Sequence, residues 1–296
     1  ALAAPFVWSI VNHADKFLLS KYFKSGGVGG LMIFSTLFST FLLPFVYFMD
    51  KSVLTIGAQG AGILMLAGAL NAIAILLYLH ALNDDEASVV VPFMQLIPVF
   101  AFIFGYLLIG DTLTAKQILG GVIILAGTLI LSFGLGEGRK LHFKWKISIL
   151  MIFHSILFAL YSTLFKFVSI NDGFWSGAFW EAVGLICVGL ILLCIRSYRE
   201  QFLEVFRRNS MAIIGVNVGS ELLTILGNWL TAYATLLAPI ALVTLVSGYQ
   251  PVFVFIIGIL ITLFIPKIAE EKIHRNALLH KGIAIAIIVF GTYFLQ

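Results

Sequence analysis

Long apolar runs separated by short polar connections set the pattern of this chain. Ten runs stand out, over 2–20, 28–48, 58–82, 87–109, 115–134, 147–168, 175–195, 211–236, 239–264 and 281–296. Most are close to the roughly 20 residues that a helix needs to cross about 30 Å of hydrocarbon. They are apolar nearly all round rather than along one stripe, which predicts helices with apolar surroundings on every side. The connections, such as Asn83-Asp84-Asp85-Glu86 and the segments 134–140, 196–210 and 266–280, are too short to hold a folded domain. The two longest are charged and predict interfacial helix turns.

Composition sharpens this picture. The chain has 296 residues, 61% hydrophobic and 11% charged, with a mean hydropathy of +1.07. Soluble chains are about 45–50% apolar and about 25% charged, so there is too little polar surface here to coat a water-soluble globule. An ordinary soluble enzyme, a disordered chain and a disulfide scaffold are excluded; the fold class is all-α integral membrane. The first run is too long, and too poor in basic residues before it, to read as a cleavable signal peptide. Cys187 and Cys194 are seven residues apart on one run, about 10 Å along a helix and beyond disulfide reach.

Two stretches repeat. Pro98-Val99-Phe100-Ala101-Phe102-Ile103-Phe104-Gly105 matches Pro251-Val252-Phe253-Val254-Phe255-Ile256-Ile257-Gly258 at an offset of 153, and Lys16-Phe17 recurs as Lys166-Phe167 at an offset of 150. Ten transmembrane helices therefore divide into two five-helix repeats, 1–140 and 141–296. An odd number of spans per repeat inverts one half relative to the other, a common construction among secondary transporters.

The net charge of +4 sits in short loops, a topology signal rather than a nucleic-acid surface. Fourteen Lys and Arg lie in the loops after spans one, three, five, seven and nine; only Lys51 and Lys116 lie in the others. The positive-inside rule then predicts the basic loops in the cytoplasm and both termini outside, in the plasma or inner membrane.

At this point the residues resemble a known family. The stretch from Ala87-Ser88-Val89-Val90-Val91-Pro92 through Gln95-Leu96-Ile97-Pro98, Gly110-Asp111-Thr112 and Gly120-Gly121 to Ala126-Gly127 is similar to the EamA repeat of the drug/metabolite transporter superfamily. Its fourth helix, short acidic turn and glycine-bearing fifth helix are all represented. Ala238-Pro239-Ile240-Ala241 through Gln250-Pro251 resembles the same repeat, with an insertion over 267–275 in place of the short turn. The resemblance implies a ten-helix carrier, not an enzyme, for metabolites ranging from amino acids and drugs to sugars and nucleotide sugars. The family is generally drawn with cytoplasmic termini, against the charge count here. The first helix, Trp8-Ser9-Ile10-Val11-Asn12-His13-Ala14-Asp15-Lys16, is also similar to that of the plastid sugar-phosphate and nucleotide-sugar branch. An Asn and a Lys occupy comparable places there, so Asn12 and Lys16 keep an anionic cargo open.

An ionisable side chain within a span costs about 2.5–3.5 kcal/mol on the insertion scale and asks for a reason. Lys16 and Lys166, at the far ends of spans one and six, read as gate residues or as snorkelling side chains. Glu221 lies ten residues into span eight with no basic residue near it in sequence. Glu181 shares a helix face with Gly177 and Gly184, and small residues turn a face into the bundle. Each acid reads as a proton-coupling group, a partner for a cationic moiety, or a protonated interhelical hydrogen bond. Asn228, seven residues after Glu221, extends a polar stripe that includes Asn217 and Ser220.

His80 and His154 lack a ligand-spaced partner; packing or a proton relay are their readings. Gln95, between Pro92 and Pro98, can bond freed carbonyls or cargo, and Tyr249-Gln250-Pro251 is its rough counterpart. Trp229 is too deep for interfacial anchoring, and with Tyr161, Tyr233 and Tyr249 it could stack on a planar or cationic cargo. Walker A, HExxH, CxxC-pair and Gly-x-Ser-x-Gly patterns are absent from the sequence, so no cofactor, metal or catalytic role is expected.

Together these features predict a monomeric secondary-active carrier moving a small polar metabolite by alternating access, with protons as a coupling ion. A lipid-linked-sugar flippase and a sugar-phosphate or nucleotide-sugar antiporter are the alternatives.

Overall fold

A computed structural model describes residues 2–21, 27–84, 90–132, 145–208, 211–264 and 275–295. Among these the regular structure is entirely helical. The α-helices are α1 (Ala3–Lys21), α2 (Val28–Phe38), α3 (Leu42–Met49), α4 (Ala58–Asp84), α5 (Ile97–Ile109), α6 (Ala115–Ser132) and α7 (Trp145–Asp172). They continue as α8 (Phe174–Cys194), α9 (Arg196–Arg208), α10 (Met211–Leu237), α11 (Ile240–Val246), α12 (Gln250–Phe264) and α13 (Arg275–Thr292). Each of the ten apolar runs is helical over most of its described residues. Among the described residues, five helical segments are long and apolar enough to cross a membrane: Val28–Met49, Ala58–Asp84, Trp145–Asp172, Phe174–Cys194 and Ile240–Ile261. Shorter apolar helices cover Phe93–Ile109, Ala115–Ile130 and Gly282–Leu295. The connection 134–140 and the insertion over 267–275 lie wholly or almost wholly outside the described residues.

Proline sets the internal breaks. A 3-10 segment, Val91–Leu96, precedes α5, and another, Ser247–Tyr249, precedes α12. Pro98 and Pro251 have no N–H to offer the carbonyls of Met94 and Ser247 four residues earlier. Ile97 N–H bonds Met94 O instead, and Gln250 N–H bonds Ser247 O, both in the shorter i to i+3 pattern. The two repeated Pro-Val-Phe stretches therefore carry the same local break.

Packing pairs helices from the two ends of the sequence. Helix α4 lies along α7 as α10 lies along α1, and α5 meets α7 as α12 meets α1. The pairs α6 with α13, α2 with α8, and α5 with α11 complete the set. Contact between α4 and α8 is the tightest. A Cβ on Gly68 would stand 2.1 Å from the Glu181 carbonyl oxygen, and one on Gly184 would stand 2.1 Å from that of Met65, so only glycine permits this approach.

Two ends can be distinguished. At the basic end, Gln201 of α9 accepts the Gly29 N–H of α2 at 2.9 Å, and Lys146 pairs with Asp84 at 2.7 Å. The loops after spans one, three, five and seven thus share one face. At the other end, the Trp180 indole N–H donates to Val53 O at 2.8 Å. There α5 finishes with Gly110 at φ 79° and Asp111 N–H bonded to Gly105 O at 3.0 Å, a Schellman-type stop that only glycine takes easily. This turn delivers Asp111 to the bundle.

Candidate functional site

Buried polar side chains gather in three places. The first is built on α8. Glu181, 6% exposed, accepts a hydrogen bond from Asn71 Nδ2 of α4 at 3.1 Å, and the Tyr161 hydroxyl of α7 donates to the same carboxyl. Gly177, Glu181 and Gly184 all face inward: a Cβ on Gly177 would meet Ser169 Oγ, as one on Gly184 would meet α4. The amide oxygen of Asn71 is buried without a partner. Nearby, His154 Nδ1–H donates to the Ala74 carbonyl at 2.8 Å, which is the packing role open to a lone histidine.

The second lies where α1, α2 and α10 meet. Glu221, 7% exposed, accepts a short hydrogen bond from the Ser35 hydroxyl of α2. Its neighbour Ser220 donates to Asp15 Oδ1 of α1 at 3.1 Å. One turn earlier, Asn217 is 3% exposed and its Oδ1 has no partner. Close packing of α1 on α10 supports the site: the Trp8 ring lies against Gly227, where a Cβ would be 3.1 Å from it.

The third is an ion pair. Lys166 Nζ stands 2.9 Å from both carboxylate oxygens of Asp111 and 3.0 Å from Ala238 O. Asp111 Oδ2 also accepts the Ile240 N–H at the start of α11, at 3.0 Å. This corrects the snorkelling reading of Lys166. The side chain does not reach for an interface; it is 5% exposed because a carboxylate supplied by the α5–α6 turn and a free carbonyl satisfy its donors inside the bundle.

Between α7 and α10 runs a narrow crevice lined by Phe158, Tyr161, Ser162, Phe165, Asn228 and Thr231, among others. It has room for about one water. Ser162 and Thr231 donate to their own helices, to Phe158 O and Gly227 O, so half-buried Asn228 brings the amide.

Other expected site residues are dispersed. Trp229 meets Phe45, Phe174 and Trp175 at 5.6–6.1 Å between ring centroids, not Tyr161 or Tyr249, so the expected cage is not assembled. Tyr233 packs on Phe174 and is exposed at 53%. Tyr249 donates to Thr292 Oγ1 at 3.1 Å, with Gln250 half-buried beside it. Its counterpart Gln95 is buried in the first 3-10 segment, with Oε1 turned towards Gly248. His80 bonds Leu76 O of its own helix and approaches the Tyr198 hydroxyl at 3.5 Å. Asn12 is half-buried on α1; the Lys16 side chain lies outside the described residues. Sequence reasoning put Asn217 in the polar stripe of span eight but did not put Asp15, Ser35, Asn71 or Asp111 in the site. Asn71, a lone amide in an apolar run, and Asp111, in the acidic turn after α5, were the available signals.

The fold, with its long apolar helices, is that of a multi-pass helical membrane protein. Residues 1–133 of the chain match the EamA-like transporter family. It is 30% identical over 146 residues to a Salmonella typhimurium protein named "Probable amino-acid metabolite efflux pump", a match covering 45% of this chain and 47% of that relative. The chain thus spans about half the length of the curated relative it matches. A crystal structure of another protein, 16% identical, shares the fold with a TM-score of 0.68 over 99% of this chain and 93% of its own.

Proposed function

We propose that this chain is a secondary-active exporter of a small polar metabolite of the amino-acid type, working in the plasma membrane by alternating access. The observation that carries the reading is the line of polar groups set into an otherwise apolar bundle, from buried Asn71, Glu181 and Tyr161 across the crevice to half-buried Asn228. Lipid-facing helices gain nothing from such groups; a pathway for polar cargo needs them. The cargo kind follows the name of the Salmonella typhimurium relative.

Two inverted five-helix halves, 1–140 and 141–296, form the carrier in this reading. The paired helix contacts and the matching breaks before Pro98 and Pro251 support it, because a pseudo-two-fold axis requires both. The basic end faces the cytoplasm and both termini lie outside. Asn228, Tyr161 and Gln95 contact cargo, and Glu221 carries the coupling proton. The crevice is shut to cargo, as an occluded form requires.

Counterflow in proteoliposomes with a panel of amino acids and their derivatives tests the proposal. Exchange of at least one water-soluble compound is expected, with Asn228→Leu slowing it. A protein that moves none of them but scrambles labelled lipid would overturn the carrier reading in favour of a flippase.

A further inference from the structure

We propose that the junction of α1, α2 and α10 is a binding site for one compact monovalent cation, an alkali ion or a primary ammonium group. It goes beyond the proton reading of Glu221 given above, since a cation held there takes the proton's place, and it stands apart from the question of what is transported. Two carboxyl groups, Asp15 and Glu221, enter the same junction from facing helices, linked through adjacent Ser220 and Glu221 of α10. The Ser220 hydroxyl bonds Asp15 and the Ser35 hydroxyl bonds Glu221, and hydroxyls donate hydrogen bonds but bring no positive charge. Among the described side chains neither acid has an ion-pair partner, whereas Lys166, Lys146 and Arg196 all have one.

An independent feature points to a ligand. Asn217 is four residues before Glu221 and three before Ser220, so all three share a face of α10. Its side chain is buried at 3% exposure, with Oδ1 lacking any hydrogen-bond partner. An amide oxygen left in this state is costly to bury and accepts only a proton donor or a cation. The acceptors assembled here are the carboxylate oxygens of Asp15 and Glu221, the hydroxyls of Ser35 and Ser220, and Asn217 Oδ1. Oxygen-only sets of this kind suit hard cations, and the three N–H donors of a primary ammonium fit the same acceptors.

Site and cation class are tested on the purified full chain in detergent, without transport. Thermal unfolding is followed as NaCl replaces choline chloride at constant ionic strength, and in parallel as ethylammonium chloride does so. A midpoint that rises with one of these salts and saturates is expected from linkage. Sodium alone identifies an alkali-ion site, and ethylammonium alone identifies an amine site. Asp15→Asn, Glu221→Gln and Asn217→Leu should each weaken the apparent affinity by about tenfold or more. The surface variant Asp84→Asn should keep the full response. Binding of radioactive sodium or labelled ethylamine to the same variants gives a second readout if one of them folds poorly. Equal midpoints in all three salts, with a response to pH alone, would overturn the proposal. So would a shift that persists in Asp15→Asn and Glu221→Gln. Cation binding without counterflow would leave this site standing and remove the carrier reading; the reverse result would do the opposite.

Discussion

The two ends of the bundle are closed by contacts of different kinds. At the charge-poor end, Lys166 and Asp111 are 5% and 17% exposed, and the pair is tied to backbone at Ala238 and Ile240. At the basic end, Lys146–Asp84 and Arg196–Glu200 stand in the open, with exposures from 36% to 84%. The basic loops hold most of the cations, yet exposed pairs contribute little to stability. The buried pair joins the α5–α6 turn of the first half to α7, α10 and α11 of the second. Where charge is plentiful its pairs stand in the open; where it is scarce the pair is buried and ties helices together.

The contrast can be broken by experiment, and Lys166 offers the largest effect. Lys166→Met leaves the Asp111 carboxylate in the bundle without its ammonium, and a loss of about 3–5 kcal/mol is expected in detergent unfolding. The double variant Lys166→Met with Asp111→Leu should recover much of that loss. A single variant as stable as the parent would erase the distinction between the ends. Next is packing between them: Gly184→Val drives a side chain into the Met65 carbonyl and should cost about 1–3 kcal/mol, read as a lower unfolding midpoint.

The carboxyl sites carry a functional version of the same contrast. Glu181 lies about 10 Å along α8 from the charge-poor end, held by Asn71 and Tyr161; Glu221 lies about 15 Å into α10 from the basic end, with Asp15 nearby. Glu221→Gln should flatten the dependence of uptake on pH between about pH 5 and 8 and slow transport by about tenfold, while folding is kept. Unchanged profiles would remove the coupling role. The smallest effect belongs to the surface: Arg196→Ala removes an exposed pair four residues apart on α9 and should leave the unfolding midpoint where it was.

Helix positions and faces were legible in the sequence, but neighbours were not. The apolar runs announced their helices because composition alone forces them. Pro98 and Pro251 marked the two breaks, since a missing N–H acts locally. The spacing of Gly177, Glu181 and Gly184 put Glu181 on an inward face, as helical period does. Asn71, however, is 110 positions from Glu181, Asp111 is 55 from Lys166, and Ser35 is 186 from Glu221. Period says which side of a helix is covered, not by what. The aromatic grouping failed for the same reason: Trp229 meets Phe174 and Trp175, which the bend at Gly173 (φ 86°) brings against α10.

Gly68 and Gly184 bear on how such a bundle can move. Helices α4 and α8 come from different halves of the sequence, yet their backbones touch at these glycines with no side chains between them. Main chains in that register cannot slide or part in small steps, so the two helices travel as a single strut. A rocking cycle of the kind proposed above would then draw its dividing plane elsewhere, and its mechanical bodies would differ from the segments 1–140 and 141–296.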